Sequence, residues 1–207
     1  VLPRELNNMT QQEMKKSVGV VLTAEKTDDN GVTRAAAICS IRPRFKPPVE
    51  GEDLKKESFG KGSQVFAHGG LESHEVALPG ALGFLAGLER ELTEELGSRV
   101  AALVMQNLAC SADGQPKEVA HIKTPDKEVV TYHAHVKMSL KELRALAVLS
   151  PEVFGLRAVL VDKLTEVMKP LEKDIHRKGG VPIGEVRLFP DEIAAHVAAA
   201  KSLRKTG

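Results

Sequence analysis

One stretch, ALGFLAGLERELTEEL from Ala81 to Leu96, constrains the fold of this 207-residue chain more than any other. Apolar residues fall at Ala81, Phe84, Leu85, Leu88, Leu92 and Leu96. At roughly 100° per residue they form a single stripe along a helix. Pro79 stands just ahead, where a missing N–H is tolerated, and Gly97 supplies the closing cap. A helix with one apolar stripe must bury it against another layer of structure.

The flanking sequence offers that layer as strands. Residues 18–25 and 32–42 are rich in β-branched and small apolar residues, and TDDNG at 27–31 separates them with an Asn-Gly turn signal. They predict a hairpin. Residues 64–68 (QVFAH) predict a short strand running into Gly69 and Gly70, and residues 100–110 predict another. Residues 128–138 (EVVTYHAHVKM) alternate as a strand does, and Ser139 with Glu142 three residues on predicts the capped start of a helix over 140–149. A helix kinked at Pro170 is expected over 159–177, a last strand over 184–189 and a last helix over 190–203, acidic in its first turn and basic in its last. Residues 43–62, with three prolines and three glycines, predict a long loop, as does 111–126. Residues 1–16 are polar and predict an arm or short helix, leaving 17–207 as one domain. Strands and helices mix without strict alternation. The expected fold is therefore α/β: a mixed sheet covered on both faces by helices.

Composition narrows the function. An apolar fraction of 42% can build a core, and no apolar run approaches the ~18 residues of a membrane helix. The first residues lack an apolar secretory core, so no signal peptide is expected. A net charge of +1 shows no global nucleic-acid footprint, and one Tyr with no Trp argues against a base-stacking platform. A local phosphate site stays open. Cys39 and Cys110 lack metal spacing, so two small buried thiols in a reducing, cytoplasmic compartment are expected.

The chemistry concentrates on the helix. Glu91, Glu94 and Glu95 crowd one flank of the apolar stripe, although like charges at these spacings destabilise a helix by roughly 0.2–0.5 kcal/mol per pair. Glu91 has no basic residue four positions away on either side. Converging carboxylate oxygens suit Mg²⁺ or Mn²⁺. Charge geometry alone favours a solvated face tied by Arg90–Glu94 and Glu95–Arg99 ion pairs over a metal site.

The run Arg90-Glu91-Leu92-Thr93-Glu94-Glu95-Leu96-Gly97 resembles the REUxEExG core of the Nudix box, where U is apolar. Gly69, five residues and then Glu75 resemble its upstream half, and the likeness extends over roughly 17–200. Two departures stand out. Fourteen residues separate Glu75 from Arg90 where the pattern has seven, and Ser98 replaces an apolar residue.

The resemblance implies a Nudix-like α/β/α sandwich and a pyrophosphohydrolase acting on a nucleoside diphosphate linked to another moiety. It implies Glu94 and Glu95 as principal Mg²⁺ (or Mn²⁺) ligands, Glu91 as a metal ligand or proton acceptor, and the carbonyl of His68 as a further ligand. Arg90 would orient the glutamates, while Leu92 and Leu96 anchor the helix. The alternative it leaves is an inactive subunit of the same fold that binds RNA or protein, a reading favoured by the seven-residue insertion. A homodimer is the default assembly. Weaker candidates are Arg42, Arg44 and Lys46 for substrate phosphates, and Glu118, Asp126 or Glu128 as a later-loop base. His74 lies in the box loop, and His133 and His135 share a strand face without a third metal ligand.

Overall fold

The computed structural model describes residues 14–27, 29–42, 66–164, 166, 181–183, 186–188, 195–199 and 201. The expected loop 43–62, with Arg44 and Lys46, and residues 1–13 of the expected arm 1–16 lie outside them, as does Pro170.

Strand β1 (Lys15–Thr27) is the centre of the molecule. It is buried without a break from Val18 to Ala24, as a strand covered on both faces must be. It pairs antiparallel with β2 (Thr33–Ile41) through the expected hairpin. It also pairs antiparallel with the short β3 (Ala67–Gly70) and parallel with β5 (Lys127–Ser139). Two edges complete a six-stranded mixed sheet, β4 (Glu118–Lys123) on β5 and β6 (Gly155–Leu160) on β2, in the order β4-β5-β1-β2-β6. A separate two-stranded ribbon joins β7 (Val181–Ile183) to β8 (Val186–Leu188), the latter inside the expected last strand.

Alternation along β1 divides its side chains between two layers. Val18, Val20, Leu22 and Ala24 pack in one cluster with Phe84, Leu88, Leu92 and Leu96. Val21, on the opposite face, packs with Ala195 and Ala199 of the helical residues 195–199. Helices thus cover both faces, the α/β/α sandwich that the sequence implies.

On the first face lie α1 (Ser73–Val76), α2 (Ala81–Leu96), α3 (Ser98–Gln106) and α4 (Leu140–Leu146). Helix α2 has the predicted limits, though Ala81, counted in the apolar stripe, is exposed. Ser139 caps α4 and forms a capping box with Glu142, and the helix stops three residues earlier than expected. Among the described residues no helix is long and apolar enough to cross a membrane.

Several expectations are corrected. Residues 98–106 form α3, not a strand: Val100, Ala101 and Val104 recur at helical spacing and are buried together. Residues 118–123 form β4 rather than loop; as an edge strand it is mostly exposed and shows no alternation. Val159 and Leu160 end β6, and helix begins only at 161, because the apolar run crosses the strand-to-helix boundary unbroken. Lys15 and Lys16 belong to β1, not to an N-terminal arm. Cys39 is buried as expected, but Cys110 is exposed, in a bridge to Pro116 beyond the end of α3.

Candidate active site at the glutamate helix

The site forms where β3 leaves the sheet. Gly69 and Gly70 pair with Val18 and Ser17 at the start of β1, and Leu71 N–H donates to the Lys16 carbonyl at 2.9 Å. The chain then makes the single-turn α1, fixed by two hydrogen bonds between Glu72 and Glu75. Glu75 N–H donates to the Glu72 carbonyl at 3.0 Å, while Glu72 N–H donates to Glu75 Oε2 at 2.7 Å.

The seven-residue insertion, VALPGAL at 76–82, finishes α1, turns at Gly80 (φ 57°) and starts α2. It bulges outward, with Val76, Leu78 and Leu82 exposed. Glu75 stays beneath it, 1% exposed. Gly83 makes this possible, since a Cβ there would lie 2.3 Å from the Glu75 carbonyl. The insertion therefore does not displace Glu75.

Arg90 gathers the box. Its Nε donates to Glu75 Oε1 at 2.8 Å and its Nη2 to Glu75 Oε2 at 3.2 Å. Nη1 donates to Glu91 Oε1 at 2.9 Å and to Glu94 Oε2 at 3.0 Å, and Nη2 also reaches the Gly70 carbonyl at 2.7 Å. Burial pushes the Glu75 carboxyl up, but the Arg90 guanidinium and the Glu72 N–H outweigh it and hold it below the usual range. These carboxylates likewise keep Arg90 protonated. The Glu91 carboxylate lies directly against Gly69: a Cβ on that glycine would sit 1.8–2.1 Å from its atoms. Burial raises the Glu91 carboxyl, partly offset by Arg90.

Glu95 takes a different partner. The expected Glu95–Arg99 pair is not formed, because Gly97 (φ 88°) breaks the helix between them. Instead Glu95 Oε1 accepts from Arg42 Nη2, at the end of β2. The same guanidinium donates through Nη1 to Glu152 Oε2 at 2.6 Å and, at 3.5 Å, from Nη2 to the His68 carbonyl. Glu95 is 4% exposed, and burial pushes its carboxyl up to about 7 despite Arg42. Its Oε2 is buried with no hydrogen-bond partner among the described residues.

Glu152 was not singled out from the sequence. It lies in the loop after α4, whose backbone satisfies the end of α2: Val148 N–H donates to Leu96 O and Ser150 N–H to Glu95 O. Nothing local in sequence signals that docking.

The other candidates lie apart from this cluster. Glu128 is held by Lys16, Lys123 and His121, which together outweigh burial and lower its carboxyl. Glu118 faces His121, and Asp126 is fully engaged in its own turn with Thr124. His74, by contrast, sits in α1 at the margin of the cluster, exposed beside Glu72, which faces Arg90 Nε at 3.8 Å. Both His133 Nε2 and His135 Nδ1 share the Thr23 hydroxyl, at 2.8 and 2.9 Å, as a satisfied pair on one strand face.

Among the described residues no three His, Cys, Asp or Glu side chains converge on one empty point, because arginines interleave with the carboxylates. The donor set nonetheless suits a hard divalent cation. It presents three carboxylates around the end of β3, one carrying a buried unpaired oxygen and another packed where only glycine leaves room.

No protein-family model and no curated protein matches the chain. Solved structures do. A mutT/nudix family protein from Listeria innocua aligns over 93% of this chain and 95% of its own, at 14% identity and a TM-score of 0.52. The Nudix domain of Shewanella oneidensis NrtR complexed with ADP ribose covers 96% and 94% at 11% identity, with a TM-score of 0.45. A C. elegans Ap4A hydrolase binary complex covers 93% and 99% at 10% identity, with a TM-score of 0.46. This chain has the fold of the Nudix/MutT proteins, a mixed sheet between helices with the glutamate-bearing helix laid against the strand that ends in Gly69-Gly70.

Proposed function

We propose that this chain is a Mg²⁺- or Mn²⁺-dependent pyrophosphohydrolase acting on a nucleoside diphosphate linked to another moiety. The observation that carries the reading is the Arg90 clasp. One guanidinium joins Glu75, Glu91 and Glu94 although the intervening loop is twice the ordinary length.

In this reading Glu91, Glu94 and Glu95 hold the ion, with the His68 carbonyl beside them. A bound divalent ion neutralises diphosphate charge and lowers the pKa of attacking water. Glu91, whose carboxyl is already raised by burial, accepts the proton of that water. Arg90 keeps Glu91 and Glu94 in register by spanning them. Leu88, Leu92 and Leu96, all fully buried, hold the helix rigid against the sheet. Water adds to phosphorus, the bridging P–O bond breaks, and a nucleoside monophosphate and a phosphorylated second product leave.

The test is a hydrolysis screen over a nucleoside-diphosphate library with Mg²⁺, using Glu94→Gln as control. Glu94 is exposed, so the variant should keep the wild-type melting temperature and lose most turnover. Equal turnover in the variant contradicts the assignment. A second reading, a Nudix-fold subunit that binds a protein or RNA partner without hydrolysis, is favoured by the exposed apolar Val76, Leu78 and Leu82 of the insertion. It predicts saturable partner binding and no phosphate release from any compound in the library.

A further inference from the structure

Arg42 occupies the place of a cation. Among the described residues it touches three groups, and two of them, Glu95 and the His68 carbonyl, are groups that the proposed function gives to the metal. Among the described residues no other cation reaches Glu95, since Arg90 is committed to Glu75, Glu91, Glu94 and the Gly70 carbonyl. The pair is withdrawn from water: the Arg42 side chain is 13% exposed and that of Glu95 5%. A guanidinium cannot lose its proton in a protein, so it remains a competitor for Glu95 at every pH. It is also an incomplete one, because Glu95 Oε2 stays buried and unpaired beside it.

The other half of the guanidinium is anchored separately. Nη1 binds Glu152, which is 51% exposed at the rim, while Nη2 binds Glu95 and His68. The contact with Glu95 can therefore break while the contact with Glu152 holds.

We propose that Arg42 is an internal counter-ion that fills the cation's place at Glu95 and His68 until a divalent ion displaces it, and that Glu152 then keeps the freed guanidinium at the rim to meet a substrate phosphate. The inference rests on the metal site of the proposed function. Arg42 is in this view a positioning residue for the metal and a binding residue for phosphate, where it offers a planar fork. Two opposed effects follow from one substitution. Removing the guanidinium takes away a competitor and tightens metal binding. It also removes a phosphate contact and raises KM more than it lowers kcat. A merely structural Arg42 would loosen both.

The experiment is Mn²⁺ titration of the full chain, read by electron paramagnetic resonance, for wild type, Arg42→Gln and Glu94→Gln. The Arg42 Nε–H resonance is followed in parallel on adding Mg²⁺ without substrate. The expected result is a severalfold lower Mn²⁺ Kd in Arg42→Gln, and a shift of the wild-type Arg42 signal that saturates with Mg²⁺. Arg42→Met serves if the glutamine variant does not fold, since it keeps an unbranched side chain of similar reach without the charge; the same tightening is expected. Unchanged or weaker Mn²⁺ binding in these variants, with wild type binding and Glu94→Gln losing it, overturns this inference alone. Absence of Mn²⁺ binding by wild type overturns it together with the proposed function.

Discussion

Arg90 Nε lies 2.8 Å from Glu75 Oε1, and the fourteen residues between them close on themselves around that contact. The pair makes the lengthened loop an outward bulge instead of a break in the site. Replacing Glu75 by Gln leaves the shape and removes the charge. A hydrogen bond to a charged group contributes about 1.5–3 kcal/mol, so the variant should lose stability in that range on urea unfolding. Turnover should fall at least tenfold as Arg90 loses its fixed end. The Glu75 carboxyl is held below its ordinary range, so its contribution to stability is fully present above the unfolded carboxylate pKa. It is lost as pH falls through the folded value, and that acid loss should be smaller in Glu75→Gln.

Two glycines separate stability from function. The atoms nearest a Cβ at Gly69 would be those of the Glu91 carboxylate, the far end of a flexible side chain that can move aside. Gly69→Ala should therefore keep a melting temperature near wild type and lose Mn²⁺ affinity and turnover together. A Cβ at Gly83 would meet the Glu75 backbone carbonyl at 2.3 Å, which cannot yield without moving α1. Gly83→Ala should cost about 1–3 kcal/mol, the range of overpacking, visible in thermal unfolding. Equal stability of the two variants would contradict the described packing.

What could be read from the residues alone follows from how far each signal reaches. The stripe of α2 and its Gly97 stop are local and periodic, so the helix is legible to the residue. The same holds for the β1–β2 hairpin, where the turn signal sits between two apolar runs. Residues 98–106 mislead because their apolar run mimics a strand, and the helical spacing of Val100, Ala101 and Val104 becomes decisive only once Gly97 has turned the chain. The acidic cluster and its Arg90 partner are legible as a motif, but the pairing of Glu95 with Arg42 is not. Arg42 meets Glu95 across 53 positions, and Glu152 joins them from a loop placed by backbone hydrogen bonds to the end of α2. No local pattern encodes a partner that distance in sequence separates.

The opposite face of the sheet carries a pH dependence of its own. His133 is buried against Thr23, and His196, 2% exposed, has neither ring nitrogen hydrogen-bonded among the described residues. Burial pushes each down to about 4, with His135 adding to the effect on His133 and His133 to that on His196. Glu25 and Lys137 act on the neighbouring His135. Both buried rings favour the neutral form, so the unfolded chain takes up protons first. Stability is full above about pH 6.5 and is lost as pH falls toward 4, by roughly 3 kcal/mol for each such histidine. Glu95, pushed up to about 7, contributes a slope of opposite sign in part of this window, so the informative quantity is a difference. His196→Leu should flatten the acid limb of urea-unfolding free energy against pH relative to wild type. An acid limb as steep as that of wild type would contradict the buried neutral ring.

The central claim is that Glu91, Glu94 and Glu95 together bind a divalent ion. Anomalous scattering from a crystal of the protein soaked in Mn²⁺ tests it most directly. The account predicts a single strong peak among those carboxylates beside the His68 carbonyl, with Arg42 withdrawn from Glu95 and still on Glu152. A fully soaked crystal with no peak there, and Arg90 and Arg42 still clasping the glutamates, would contradict it.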